Sequence, residues 1–239
     1  MDVGVIRLIV PKSIELSIAP YLLEQTMYPV SCDDENRMIF NKEEIDRSLE
    51  KIKALAIGMG WGSGKDNEKI LTYILENKDI PCIIDADGLN TLAKIDLNIL
   101  KKSKNKIILT PHLKEFERVS KNSIEKIKEN PIELAVDFAK KYNVIILLKG
   151  STTIVTNGDE TFFVKRGCAG MATAGSGDVL SGILVGMLGY NEANVKTVVA
   201  GAILAGVAGE LAEKKYTDIG MKASDTIQMI PEAIKKIRN

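Results

Sequence analysis

The segment spanning residues 167–182 combines glycines with an acidic side chain at the start of an apolar helical pattern. It reads Gly-Cys-Ala-Gly-Met-Ala-Thr-Ala-Gly-Ser-Gly-Asp-Val-Leu-Ser-Gly, so Gly175, Ser176 and Gly177 lead directly into the helix. Glycine lets backbone N–H groups turn toward one point, and a helix N-terminus adds unpaired donors and a partial positive charge. The pattern predicts an anion hole for a phosphoryl group in transfer. Asp178 stands where its carboxylate can accept a proton from a substrate hydroxyl as a general base.

The same segment also fits an ordinary helix cap, because Ser or Asp often precedes an apolar helix. Two glycines are unnecessary for a cap. Gly182 and Gly186 lower the helix propensity, and their presence makes sense if this helix packs closely on a neighbour. The segment is not a Walker A motif, because no Gly-Lys-Ser/Thr follows it. These residues alone do not decide between an anion hole and a helix cap.

Four further segments place small or polar residues directly after short apolar runs. They are Gly-Met-Gly-Trp-Gly at 58–62, Asp-Ala-Asp at 85–87, Thr-Pro-His at 110–112 and Lys-Gly-Ser-Thr-Thr at 149–153. The glycines of residues 58–62 permit close backbone approach to a ligand. The N–H and hydroxyl groups of residues 149–153 suit a nucleotide phosphate or ribose, and a turn into the next strand is an equal alternative.

Several ionisable side chains in these segments have both functional and structural interpretations. His112 is the only histidine; a lone histidine is more often structural, but a loop position after a strand favours function. Glu115 fits either a magnesium ligand or a solvated carboxylate at a helix N-terminus. Asp85 and Asp87 could hold Mg²⁺ or cap the following turn, and we predict a catalytic role for neither.

The elements that must position these residues alternate between strand and helix. Strands are predicted at residues 3–10, 54–57, 82–84, 107–109 and 144–148, and helices at 42–52, 66–75, 113–119 and 131–141. Residues 152–155 and 161–164 flank an Asn-Gly turn and predict a hairpin, and the chain from Gly177 to Lys236 predicts only helices, with 195–214 as a packed core helix. This order predicts one α/β domain over residues 1–239, with a mostly parallel sheet and ligand-binding segments at its carboxyl edge.

Composition excludes several classes of protein. The 239 residues carry 32 Lys+Arg and 32 Asp+Glu, so no overall charge attracts nucleic acid or an anionic membrane. Cys32, Cys82 and Cys168 lie far apart beside a single histidine, which argues against a zinc site and for reduced thiols. The N-terminal apolar run is broken by Arg7, and no apolar stretch is free enough of Gly, Asn or charge to span a bilayer. We expect a cytoplasmic enzyme that binds neither nucleic acid nor membrane.

The five segments, in this order and spacing, resemble those of the ADP- or ATP-dependent NAD(P)H-hydrate dehydratases of the ribokinase-like superfamily. Residues 170–182 resemble the family's Gly-Ser-Gly-Asp signature, 84–90 its Asp-Ala-Asp-x-Leu-Asn segment, 109–116 its Thr-Pro-His-x-x-Glu-Phe segment, 148–153 its Lys-Gly-x-x-Thr segment and 58–62 its Gly-Pro-Gly-x-Gly loop. Met59 and Trp61 depart from that loop's usual residues. The resemblance implies a three-layer α/β/α fold with a mostly parallel central sheet.

The resemblance also implies a role for each segment. It implies that the catalytic residues are Asp178, Gly175, Ser176 and Gly177. It implies that the substrate-binding residues are Gly58, Gly60, His112 and Asp178, in a pocket shaped by Asp85 and Asp87. It implies that the nucleotide-binding residues are Lys149, Gly150, Ser151, Thr152, Thr153 and Gly177. It places Mg²⁺ near Glu115, held directly or through water.

The implied reaction repairs hydrated NADH or NADPH (NADHX or NADPHX). ADP or ATP phosphorylates the ring hydroxyl with Mg²⁺ present, and elimination of phosphate restores the double bond, leaving AMP when ADP is the donor. Two alternatives stay open: a ribokinase-like kinase of a thiazole or pyrimidine alcohol, and a non-catalytic nucleotide-binding subunit. We also expect a homo-oligomer, with an NAD(P)H-hydrate epimerase as functional partner.

The N-terminal residues differ from the family's pattern. Residues 3–11 align with the family's second strand, so its first strand, Gly-Gly turn and following helix have no counterpart, nor does its frequent companion epimerase domain. We therefore expect an N-terminally short domain that lacks its first βα unit and is weakly stable or poorly active on its own.

Overall fold

Residues 3–239, which the computed structural model describes, form eight β-strands and eleven α-helices. The strands are β1 (Arg7–Pro11), β2 (Thr26–Val30), β3 (Leu55–Ile57), β4 (Cys82–Ile84), β5 (Ile107–Leu109), β6 (Ile145–Leu148), β7 (Thr153–Thr156) and β8 (Thr161–Val164). The helices are α1 (Glu15–Ile18), α2 (Lys42–Ser48), α3 (Asn67–Asn77), α4 (Asp87–Leu92), α5 (Asn98–Lys102), α6 (Leu113–Ser120), α7 (Ile124–Glu129), α8 (Pro131–Tyr142), α9 (Ser176–Leu188), α10 (Val195–Tyr216) and α11 (Ala223–Arg238).

The central layer is a six-stranded sheet with the order β3-β4-β5-β6-β7-β8. Strands β3 to β6 run parallel, and β7 and β8 add an antiparallel hairpin at one edge. The predicted Asn-Gly turn closes this hairpin, with Gly158 at φ +95° and Asn157 Oδ1 accepting from the N–H of Glu160 at 2.8 Å. The predicted fold class, with its mostly parallel sheet, is confirmed.

Successive strand residues face opposite helical layers, as the two-residue period of a strand requires. Ile84 and Leu109 belong to a cluster with Leu71 of α3, Phe116 of α6 and Phe138 of α8. Their neighbours on the opposite face contact α9 and α10 in a second cluster: Ile83, Ile108 and Leu147 with Leu184, Val195 and Val198. The sheet is therefore covered on both sides, which explains why its parallel strands are continuous apolar runs.

The expectation that no apolar stretch could span a bilayer was too strict, because helix α10 is long and apolar enough by length and composition. However, 61% of its most apolar window is buried within the protein. A Cβ at Gly206 would lie 2.6 Å from the carbonyl carbon of Arg166, and one at Gly201 would lie 2.6 Å from Leu184 Cδ2. Such contacts leave no room for a side chain. The prediction of a closely packed core helix here therefore agrees with the packing.

The N-terminal residues differ from the predicted single strand at 3–10. Strand β1 is shorter and pairs in parallel with β2, which the sequence did not indicate because Pro29 lies within it. The two form a sheet of their own, while β3 is an edge strand of the six-stranded sheet. Arg7 links the small sheet to the rest by donating to the carbonyl oxygen of Ser48 at 2.7 Å. The absence of a first βα unit stays a prediction.

Asp46 joins α2 to α3 and is the basis of a stability prediction. Its carboxylate accepts from Lys78, from Tyr73 Oη at 2.7 Å and from Lys42 Nζ at 3.0 Å, and these bonds, that of Lys78 foremost, hold its pKa well below the ordinary 3.8. Because folding lowers this pKa, its contribution is present above pH 3.8 and is lost as the pH falls further.

We expect Asp46→Asn to lower the free energy of unfolding by about 1 kcal/mol at neutral pH, the upper range for exposed ion pairs. The difference in free energy of unfolding between this variant and the wild type should become smaller as the pH is lowered beneath 3.8. Urea denaturation across this range measures it, with exposed Asp137→Asn as the control. A gap that is independent of pH would contradict the proposed role of the charge.

Candidate functional site

Four of the segments singled out in the sequence meet at one edge of the sheet. Ile57 pairs with Ile84, Ile84 with Leu109 and Leu109 with Ile146, so the carboxyl ends of β3, β4, β5 and β6 are in step. The chain leaves this edge through residues 58–62, 85–87, 110–112 and 149–153. The predicted convergence of these segments follows from the parallel order of the strands.

The fifth segment brings the N-terminus of α9 to the same edge. Gly175 is the N-cap residue at φ +88°, and no side chain caps the helix. Ser176 Oγ is buried without a hydrogen-bond partner, and the Asp178 side chain is exposed. Within residues 3–239 the N–H groups of Gly177 and Asp178 have no acceptor. The helix therefore has no side-chain cap, contrary to the cap interpretation, and these N–H donors are available to an anion.

The loop that precedes α9 is anchored on α10 by two glutamates. The N–H of Gly167 donates to Glu210 Oε1 at 3.0 Å, and that of Gly170 donates to Glu213 Oε2 at 2.9 Å. The bond from Gly170, followed by one from the Cys168 thiol, lowers the pKa of Glu213. Desolvation, together with Glu213, raises the pKa of Cys168 to about 11, so this cysteine is a thiol at neutral pH.

A charged cluster lies beneath the first turn of α9. Lys149 Nζ lies 2.9 Å from Asp85 Oδ1 and 3.8 Å from Glu115 Oε2. Asp85 is only 1% exposed, and its second oxygen accepts from Ser181 Oγ at 2.8 Å. A Cβ at Gly177 would lie 3.7 Å from Lys149 Nζ, so the ammonium lies next to the predicted anion hole. The sequence did not reveal Ser181, which looks like an ordinary helical serine.

His112 and Glu115 form a reciprocal cap at the start of α6. His112 Nδ1 accepts from the N–H groups of Lys114 and Glu115 at 3.1 and 3.2 Å, and Glu115 Oε2 accepts from the N–H of His112 at 2.8 Å. His112 therefore has a structural role as a cap. The expectation of a solvated carboxylate at Glu115 was wrong, because this side chain caps the helix while only 6% exposed. The His112 side chain is still 50% exposed at the edge of the site, which leaves its ring accessible to a ligand.

The glycine loop at residues 58–62 is held against the start of α4. Gly58 adopts φ +118°, and a Cβ there would lie 2.0 Å from the carbonyl oxygen of Asp85 and 2.4 Å from the nitrogen of Gly88. The N–H of Gly62 donates to Asp87 Oδ2 at 2.8 Å. Asp87 therefore shapes the loop, and the half-buried Trp61 packs against the core beside it.

Residues 149–153 turn from β6 into β7. The N–H of Lys149 donates to the carbonyl oxygen of Pro111 at 2.8 Å, which joins this turn to the segment that carries His112. The hydroxyls of Ser151, Thr152 and Thr153 have no partner within the described part of the chain. The turn is thus both a connection between strands and a set of unused polar groups.

The sequence model of the NAD(P)H-hydrate dehydratase family matches residues 1–232 of this chain. The chain belongs to the NAD(P)H-hydrate dehydratase family. A bifunctional NAD(P)H-hydrate repair enzyme of Moorella thermoacetica is 29% identical over 238 residues, which are 98% of this chain and 44% of that protein. An ADP-dependent (S)-NAD(P)H-hydrate dehydratase of Nitrosopumilus maritimus is 31% identical over 186 residues, 77% of this chain and 63% of that protein.

Solved structures share the fold of this family member. The structure of an ADP/ATP-dependent NAD(P)H-hydrate dehydratase of Bacillus subtilis, crystallised with ATP and Mg²⁺ and soaked with CoA, has a TM-score of 0.79 at 24% identity. The match covers 98% of this chain and 82% of that one. It confirms the ribokinase-like three-layer fold. The chain spans less than two thirds of the length of the curated relatives described above.

Gly58 and Gly60 provide a matched pair for testing the geometry of the loop. Gly58→Ala should destabilise the chain by about 2–4 kcal/mol, because backbone strain adds to overpacking against the backbone of Asp85 and Gly88. Gly60→Ala should cost only about 1–2 kcal/mol, because position 60 has φ +61° but open space around it. Urea denaturation measures both, and equal losses would contradict the close approach at Gly58.

Proposed function

We propose that this chain performs the ADP- or ATP-dependent dehydration of hydrated NADH and NADPH. The observation that carries the proposal is the junction of three groups at the start of α9: the free N–H donors of Gly177 and Asp178, the exposed Asp178 carboxylate and the Lys149 ammonium. Donors suited to phosphate beside an accessible base are what phosphoryl transfer to an alcohol needs. Membership of the family supports the hydrate as that alcohol.

In the proposed reaction, the hydroxyl on the reduced nicotinamide ring attacks the terminal phosphorus of the nucleotide. Its proton passes to Asp178, and the bond from that phosphorus to the departing nucleotide breaks. The backbone donors of Gly175, Ser176 and Gly177 stabilise the charge on the transferred oxygens. The ring carbon–oxygen bond then breaks as phosphate leaves, and the neighbouring ring carbon loses a proton. The double bond is restored, and ADP has become AMP and phosphate.

The proposed ligand contacts divide along the edge of the sheet. Gly58 and Gly60 offer backbone to the hydrated dinucleotide, with the half-exposed His112 beside it. The turn at residues 149–153 offers unused hydroxyl and N–H groups to the adenine nucleotide, next to Gly177. In this proposal Asp178 lies between the two ligands, because it must be reached by the hydroxyl of one and lie near the phosphate of the other.

Mg²⁺ is proposed as a companion of the nucleotide. Among the described residues, no group of three His, Cys, Asp or Glu side chains is arranged to hold a metal ion. Mg²⁺ does not require such a group, because it keeps several waters and binds through one or two carboxylates plus substrate phosphates. Glu115 Oε1 is the oxygen left for it, because the other oxygen, Oε2, accepts from the N–H of His112 in the cap of α6. The ion would neutralise phosphate charge.

We also propose the extent of the domain, its location, its assembly state and its functional partner. Residues 1–239 would act as a single dehydratase domain in the cytoplasm, as a homo-oligomer. An NAD(P)H-hydrate epimerase would be its functional partner, because the relative from Moorella thermoacetica is a bifunctional repair enzyme.

Incubation of the chain with hydrated NADH, Mg²⁺ and a nucleotide should restore NADH absorbance. We expect ADP to be preferred over ATP, with AMP and phosphate formed in equal amounts to NADH. Omitting the nucleotide is the control. Accumulation of a stable phosphorylated alcohol from a thiazole or pyrimidine substrate, with no recovery of NADH, would favour the kinase alternative and refute the proposal.

Asp178→Asn should lower turnover by roughly 10²–10⁴-fold, the usual contribution of a general base. Nucleotide binding should persist, because the backbone donors of α9 are unchanged. Exposed Asp137→Asn on α8 serves as the matched control. Near-normal turnover in Asp178→Asn, measured by NADH absorbance, would remove Asp178 from the chemistry.

A further inference from the structure

The buried carboxylate of Asp85 links three elements of the fold. It lies at the end of β4, bonds Lys149 after β6 through Oδ1, and bonds Ser181 of α9 through Oδ2. Ser181 is 0% exposed. A buried charge is tolerated only when it is paired and hydrogen-bonded, and both oxygens of Asp85 meet this requirement. The three side chains therefore hold one another in place.

This link determines where the Lys149 ammonium lies. Positions 149 and 85 are 64 residues apart in the sequence, yet the Lys149 ammonium bonds the Asp85 carboxylate. Glu115 lies on the other side of the ammonium. It lies next to Gly177, whose added Cβ would be 3.7 Å from Nζ and 3.8 Å from Asp85 Oδ2. The ammonium is thus adjacent to the free N–H groups at the start of α9, whereas residues 150–153 run on toward β7.

We propose that Asp85 and Ser181 are positioning residues that hold the Lys149 ammonium toward the phosphoryl group being transferred. The ammonium would then contact the terminal phosphate, while the turn that follows Lys149 contacts the AMP part of the nucleotide. This inference rests on the proposed function, and it deepens it by separating the side chain of Lys149 from the backbone of its own segment.

The chemistry of the transferred group supports this division. Negative charge spreads over the three equatorial oxygens during transfer, and preorganised donors stabilise it without having to move. The N–H groups of α9 supply partial charges, and the ammonium, which is paired with Asp85, supplies further N–H donors on the side of the cluster. A free lysine side chain is flexible and loses rotamer entropy when it is held in one position. Pairing with Asp85, itself fixed by Ser181, removes that freedom before the nucleotide arrives.

The test compares ADP with AMP, because AMP lacks the phosphate that is transferred. Isothermal titration of each nucleotide would be made with the wild type, Lys149→Met, Asp85→Asn, Ser181→Ala and the control Lys104→Met. Lys104 is exposed just before β5, at the opposite edge of the sheet. Lys149→Met and Asp85→Asn should weaken the binding of ADP by roughly tenfold or more, because charge-assisted hydrogen bonds are the strong ones. The binding of AMP should weaken by no more than about threefold.

Turnover gives the second readout. Lys149→Met and Asp85→Asn should each lower kcat by roughly 10²–10³-fold, the usual contribution of a preorganised donor. The double variant should be little worse than either single one, because the two residues act as a unit. Ser181→Ala should show a smaller loss in the same direction, and Lys149→Arg should recover part of the activity. Thermal unfolding of each variant verifies that the chain is folded.

Equal losses for ADP and AMP, or no loss for either, would overturn the proposal. Additive losses of kcat in the double variant would refute the positioning role of Asp85. If the wild type restores no NADH but Lys149→Met still weakens ADP selectively, the proposed function fails while the placement of the ammonium stands. The failures of the two proposals are therefore distinguishable.

Discussion

The pairing of the buried Asp85 carboxylate is the interaction on which the arrangement of the site depends. A carboxylate that is only 1% exposed must keep its partners, because an unpaired buried charge is strongly destabilising. The partners, Lys149 and Ser181, belong to another strand end and to α9, so the distance from the sheet edge to the helix N-terminus is fixed by this requirement. Gly58 completes the contact, because only glycine leaves space for the backbone of Asp85.

Pairing also distinguishes the acidic residues of the site from one another. Asp85 bonds Lys149 and Ser181, Asp87 accepts from the N–H of Gly62, and Glu115 accepts from the N–H of His112. Asp178 is exposed and, within the described part of the chain, has no hydrogen-bond or ion-pair partner. A general base must be accessible to the proton that it accepts. Of these four carboxylates, Asp178 is the one whose surroundings suit that role.

Much of this arrangement could be predicted from the sequence, because local pattern determines the order of the elements and parallel strands bring their carboxyl ends together. What could not be predicted are contacts between distant residues: Ser181 and Asp85 are 96 positions apart, and nothing local marks the serine as a partner. The cap of α6 was missed because histidine is an unusual capping residue, although Glu115 stands at the expected third position. Strand β2 was missed because Pro29 disfavours a strand.

In the proposed reaction, phosphoryl transfer to the ring hydroxyl precedes loss of that oxygen from the ring. The most direct measurement follows the oxygen itself. Hydrated NADH carrying heavy oxygen in its hydroxyl group would be repaired with unlabelled ADP, and the inorganic phosphate and water would be analysed by mass spectrometry. If phosphoryl transfer comes first, the heavy oxygen appears in phosphate. Heavy oxygen released as water, with unlabelled phosphate, would contradict that order.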